Sequence, residues 1–370
     1  MRGYVFTDGS FALPYSFGLT FHGEIVTDPS YLADYDISEA DRLTSYVAVT
    51  RVRREELVFG TLRGIKSLRS DENDSSTPSL VGDALWQRRF SGFGGMGNLR
   101  FASHGHLRSS TSELDADGDL VPDGRDIARA TVAADWRRDW VLQGGFVAAI
   151  LGETRADFYD VAQDPALSGS SARLWGAVGA ELRWPLVRTE KGGARQVLEP
   201  VVQIVGARAN GTEVPNEDSI LVEFDEASLL SLNRFPGSDA VETGVHANLA
   251  LSWTRYDPAG WSMGATVGRV LRAKDVDAFS DASGLGGRAS DWLASAHFET
   301  GTGIYAAGRM IADESLSVAR GEVEIDLETG RATLGTGYIW SIADPDEFRN
   351  ETVSELVMRA GYSVTDFWKA

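Results

Sequence analysis

The chain has 370 residues, 54 acidic and 35 basic, a net charge of −19 at pH 7 and no cysteine. That balance excludes a sequence-independent phosphate binder, so no nucleic acid is expected, and the missing cysteine excludes disulfides, thiolate metal sites and thiol nucleophiles. Forty glycines, with aromatics at 10% of the chain, point to strands and turns.

In chain order, the first pattern is alternation over 15–25. Tyr15, Phe17, Leu19, Phe21 and Ile25 fall on one side, and Ser16, Gly18, Thr20, His22 and Glu24 on the other. Such a run predicts a strand with one apolar and one polar face. Polar segments follow at 28–42 and 68–79, with short turns near Arg54-Glu55 and at Phe93-Gly94-Gly95. His104 and His106 share a strand face; no third metal ligand accompanies them, so they read as polar lumen residues.

The 109–126 segment carries Asp115, Asp117, Asp119, Asp123 and Asp126 at the side-chain positions of a calcium loop. Leu120 stands where that pattern needs glycine and Asp126 where it needs glutamate, and no helix flanks the loop. It is a weak calcium candidate beside its plainer reading as a solvated acidic loop. No cofactor is expected.

Alternation resumes at 128–136, with a turn expected at Arg138-Asp139 and a long polar segment at 158–172. A long loop spans 210–240. Beyond it, Val245, Ala247, Leu249, Leu251 and Trp253 alternate with His246, Asn248, Ser252 and Thr254. Turns at 257–260 and 300–303 bracket another polar segment at 274–290. Val323, Ile325 and Leu327 then alternate with Glu322, Glu324 and Asp326, and two further strands run to the end.

Many of these runs last about 10 to 13 residues, longer than the usual soluble strand and long enough to cross a bilayer at a tilt. The apolar stretch Phe146–Leu151 is far too short for a spanning helix. Short turns alternate with long acidic loops, and aromatics such as Trp136, Trp140, Trp175, Trp184, Trp253, Trp261, Trp292 and Trp340 sit at expected strand ends. The fold class that follows is all-β: an antiparallel transmembrane β-barrel of roughly 16 strands, with long extracellular loops and short periplasmic turns. Glu322, Glu324 and Asp326 would face its water-filled lumen.

Phe224, Asp225, Leu229, Asn233-Arg234-Phe235, Gly237 and Asp239 resemble the signature of the LptD (OstA) lipopolysaccharide-assembly family. Ser228, Leu230 and Ala240 depart from it. Trp184-Pro185-Leu186, Leu198-Glu199-Pro200 and Thr254-Arg255-Tyr256-Asp257-Pro258 also look like the family, and the resemblance covers nearly the whole chain. It implies the C-terminal β-barrel of an outer-membrane translocon that carries lipopolysaccharide to the cell surface without catalysis.

The implied partners are lipopolysaccharide, an LptE-like lipoprotein plug, and a periplasmic transport bridge reached through a jellyroll domain. That domain and the terminal barrel strands would lie outside residues 1–370, which read as part of one barrel domain. A porin-like channel is the alternative, and an outer-membrane hydrolase a more distant one, since no Gly-x-Ser-x-Gly elbow is present. The 210–240 loop is expected to be ordered, with Phe235 buried and Arg234 paired to an acid. Asp225 and Asp239 are the acids expected to hold it.

Overall fold

The structure, a computed structural model, describes residues 2–365 apart from 71, 117, 119, 120, 276 and 277. Among the described residues, eighteen strands build antiparallel sheet. The first nine are β1 (Tyr4–Leu13), β2 (Phe17–Val26), β3 (Arg42–Arg53), β4 (Glu56–Ser67), β5 (Pro78–Gly92), β6 (Gly95–Arg108), β7 (Asp126–Val141), β8 (Val147–Ala162) and β9 (Gly169–Arg183). Then come β10 (Leu186–Thr189), β11 (Arg195–Gly211), β12 (Gly244–Tyr256), β13 (Trp261–Arg272), β14 (Trp292–Thr300), β15 (Ile304–Ala312), β16 (Val318–Glu328), β17 (Ala332–Ser341) and β18 (Val353–Tyr362). Among the described residues, α-helix is confined to Tyr31–Asp34.

Two compact units emerge. One holds the chain up to Trp136 with Glu153–Trp175 and Asn210–Pro215; the other holds Arg137–Gly152, Gly176–Ala209 and the chain from Asn216 onward. In the first, β1 to β6 each pair with their sequence neighbours. In the second, β10 to β18 do the same.

Eighteen strands bear out the roughly 16 expected from spacing, with two more. Pro185 explains one of them: proline has no N–H for the ladder, so the chain breaks after Arg183 and resumes as β10, paired from Leu186↔Leu198. The turn expected at Arg138-Asp139 lies inside β7. The chain instead reverses at 142–146, where Gly144 and Gly145 adopt φ of 81° and 80°, a region open to glycine at little cost. The polar segment at 158–172 shrinks to 163–168, because β8 and β9 extend into it. Trp175, expected at an interface, is fully buried.

In the second unit the alternation separates two faces. On β12, His246 and Asn248 are buried, while Val245 and Leu251 are 56% and 41% exposed. Register carries the buried face across the sheet, through Gln203↔Asn248↔Val270 and Gly268↔Leu293↔Ile311. Val202, Ile204, Val267, Leu271, Met310 and Val323 lie exposed on the opposite, open face.

Candidate functional site

The covered face of the second unit is covered by its own loop residues, 216–243. A reciprocal clasp closes that loop. The Asp218 carboxylate accepts the N–H groups of Ser238 and Asp239 at 2.9 Å, and the Asp239 carboxylate accepts those of Glu217 and Asp218 at 3.0 and 3.1 Å. Gly237 is required there, since a Cβ would stand 2.0 Å from the Asp218 carboxylate oxygen and 2.4 Å from its carbonyl oxygen. Asp225 caps a local turn: it accepts from Ser228 N–H at 2.6 Å, and its own N–H donates to the Ser228 hydroxyl at 2.9 Å.

That turn lowers Leu229 onto β13. A Cβ at Gly268 would fall 2.3 Å from a Leu229 methyl, so the glycine makes room for the close approach. Phe224, Leu229 and Phe235 join Val222, Val270, Leu285, Leu293, Ile311 and Ala319 in one core. Phe235 also stacks on Phe279, with ring centroids 4.7 Å apart and planes 11° from parallel. Each fully buried side chain of this size is worth roughly 1.5–3 kcal/mol.

Arg234, 3% exposed, pins the loop. Its guanidinium donates to Glu242 Oε2 at 2.5 Å, Asn248 Oδ1 at 2.5 Å and the Leu229 carbonyl at 3.0 Å. Burial pulls its pKa below the ordinary arginine value, and the Glu242 carboxylate opposes the shift. Glu242 Oε1 accepts from Arg272 Nη2 and Nε at 3.0 and 3.1 Å, and Arg272 donates to the Leu285 carbonyl at 2.6 Å. The polar chain continues along the sheet from Asn248 to Gln203 at 2.6 Å, Gln203 to Glu181 at 3.0 Å and Glu181 to Arg137 at 2.6 Å.

The acid that holds Arg234 is thus Glu242. Asp225 and Asp239 are taken by backbone N–H groups, and Asn233 likewise accepts the Glu242 N–H at 2.8 Å. The sequence reading missed Glu242 and Arg272. The available signal for Arg272 was its place opposite His246 on the covered face of β12 and β13; Glu242 lies in the loop, where no strand period marks it.

Glu322 lies on the covered face but is bonded to arginines, Arg320 at 2.8 Å and Arg309 at 3.2 Å. The same arginines receive loop acids, Glu226 on Arg309 at 3.0 Å and Glu223 on Arg320 at 3.4 Å. Glu324 and Asp326 continue the row beyond the loop, with Arg359 of β18 placed 3.1 Å from Asp326 and 3.9 Å from Glu324. A cavity of about 600 Å³ opens here, lined by Glu226, His297, Tyr305, Arg309, Glu324 and Glu355 among others.

In the first unit, His104 Nδ1 bonds Asp83 at 2.7 Å, and His106 Nε2 lies 2.8 Å from Arg108. Asp115 accepts Gly118 N–H at 2.6 Å, Asp123 accepts Ala116 N–H at 3.0 Å and Asp126 accepts Arg108 N–H at 2.7 Å. Asp117 and Asp119 lie outside the described residues. Among the described residues, no group of three His, Asp or Glu is arranged to hold a metal. This unit has its own buried acid, Asp157, bonded to Arg155 at 3.1 Å, Arg173 at 3.0 Å and Thr131 at 2.8 Å.

The family model LptD, LPS transport system D, matches residues 1–368. The chain belongs to the LptD family. Membership places it in the cell outer membrane, as a β-barrel component that transports and assembles lipopolysaccharide. LptD is a transport protein. No curated protein matches the chain. Among solved structures, it is similar to the ferric preacinetobactin receptor BauA of Acinetobacter baumannii, with 9% identity and a TM-score of 0.36, over 97% of this chain and 70% of that one.

Proposed function

We propose that the covered face is the lumen wall of the lipopolysaccharide translocon and that loop 216–243 is a fixed inner element of it. The loop seats an LptE-like lipoprotein plug and borders the path of the saccharide. Lipopolysaccharide arrives from the periplasmic bridge through a jellyroll domain distinct from residues 1–370. No bond is made or broken. A sugar chain needs water and exchangeable hydrogen bonds along its path, and Glu324 and Asp326, with Glu322 held between arginines, supply a wet polar wall.

The observation that carries this reading is the buried Arg234–Glu242–Arg272 hub. Long barrel loops that are ordered against the inner wall are usually functional, and burying three charges to hold one loop is costly unless its position matters. The test is R234A/F235A in the complete protein. Sensitivity to large antibiotics should rise, and the lipoprotein plug should no longer co-purify. Wild-type sensitivity together with normal plug recovery would overturn the reading.

A further inference from the structure

The open face of the second unit carries a groove of about 720 Å³ near the long-loop ends of β11, β12 and β13. Small residues shape it: Gly176 on β9, Gly206 on β11 and Gly244 at the start of β12. A Cβ at Gly206 would meet nothing within 4 Å, so the space above it is open. Val178 and Val245 form apolar walls, 65% and 56% exposed, and the apolar surface of β11 continues through exposed Ile204 and Val202.

Two exposed cations, Arg208 and Lys274, stand at the loop end of the groove. Among the described residues neither has an ion-pair or hydrogen-bond partner, and Asp275 is the single carboxylate lining the groove. In a chain of net charge −19, this is cationic surface at one end of an apolar strip. A free anion would use the cations and leave the apolar walls idle; a neutral lipid would do the reverse. An acylated molecule with a phosphate headgroup uses both.

We propose that this groove binds a lipopolysaccharide molecule already in the outer leaflet. A lipid A phosphate sits on Arg208 and Lys274, and an acyl chain runs along Val178, Val245 and Ile204. The site lies on the outside of the wall, separate from the covered face, and it rests on the lipopolysaccharide reading above. Its effect is to hold exported lipid against the protein, so that the leaflet packs onto the barrel without a gap.

The complete protein is reconstituted in phosphatidylcholine nanodiscs containing bis-phosphorylated lipid A, and retained lipid is counted by native mass spectrometry. Each basic residue at a headgroup surface is worth about fivefold in binding, so R208Q/K274Q should lower retention about thirtyfold. R208K should keep it. Gly206→Leu fills the groove without touching a charge and should also lower retention. Each variant is first checked for the heat-modifiable mobility of a folded barrel. Equal retention by wild type and R208Q/K274Q, or neutral lipid retained as strongly as lipid A, overturns the groove. Delivery of lipopolysaccharide to the cell surface is measured separately. Failure there by the wild-type protein would remove the translocon reading, whereas the nanodisc result judges the groove alone.

Discussion

Two buried carboxylates, one in each unit, hold two arginines apiece, and they differ in reach. Asp157 takes Arg155 from its own strand and Arg173 from β9, two and sixteen residues away in sequence. Glu242 takes Arg234 from the loop and Arg272 from the end of β13, eight and thirty residues away. Both acids are essentially excluded from solvent. The first cluster ties together strands that already have a ladder. The second fixes a segment with no ladder of its own. A buried ion pair adds little net stability over an apolar replacement but specifies one arrangement strongly. That specificity is redundant in a sheet wall and decisive in a loop.

The comparison is broken most directly by removing each acid. Glu242→Gln and Asp157→Asn each leave two buried guanidinium groups poorly paired, at a cost of about 3–5 kcal/mol. Both should lower the temperature at which heat-modifiable mobility is lost. Only Glu242→Gln should open residues 216–243 to limited proteolysis. Equal cleavage of the loop in both variants would dissolve the distinction.

A second variant pair tests the sidedness that the comparison assumes. Leu251 is 41% exposed on the open face, whereas Ser252 lies on the covered face and bonds Thr266 at 3.0 Å. Leu251→Arg should cost about 2–4 kcal/mol in a bilayer refolding assay, and Ser252→Arg much less. Equal costs would mean that the faces are assigned the wrong way round.

Gly237→Ala sharpens the loop side alone. The added methyl strikes Asp218 and should cost about 1–3 kcal/mol. Faster proteolysis of the loop is expected, with no new cleavage in β8 or β9, which carry the Asp157 cluster. New cleavage at both places would show that the two clusters are coupled.

The smallest effect is on pH. Burial pushes the Glu226 carboxyl up, but its hydrogen bond from Arg309, with other favourable contacts, brings the net value below the ordinary carboxylate range. Its contribution is therefore present above the unfolded value, near pH 4, and is lost as pH falls through the folded one. Loop proteolysis should increase in that acid window, and Glu226→Gln should flatten the increase. An unchanged acid response in Glu226→Gln would assign it to another group.

Much of this was legible in the residues themselves. Period-2 alternation fixes a side chain's face once the strand is known, so Asn248 and Leu251 could be assigned opposite sides without coordinates. The loop motif was also legible, because Asn233-Arg234-Phe235 and Gly237 are unusual in so polar a segment. The partner of Arg234 was not. The expectation falls on Asp239, five residues away, and Asp225, nine away, although Glu242 is only eight away; short acidic side chains in loops tend to satisfy nearby backbone N–H groups. Glu242 reaches Arg234 only because the loop returns across β12. Arg138 and Asp139 looked like a turn on polarity alone, yet Arg137 and Asp139 are strand residues paired to each other at 2.8 Å.

The clasp between Asp218 and Asp239 also bears on the order of assembly. Its bonds span about twenty residues and need no strand to be in place. Closing a loop of that length is fast, and its entropic cost grows only slowly with length. The Glu242–Arg272 contact instead requires β12 and β13 to have zipped into register. The loop can therefore round up into a pre-shaped knot while its flanking strands are still apart, and the zipping hairpin then turns the lock behind it.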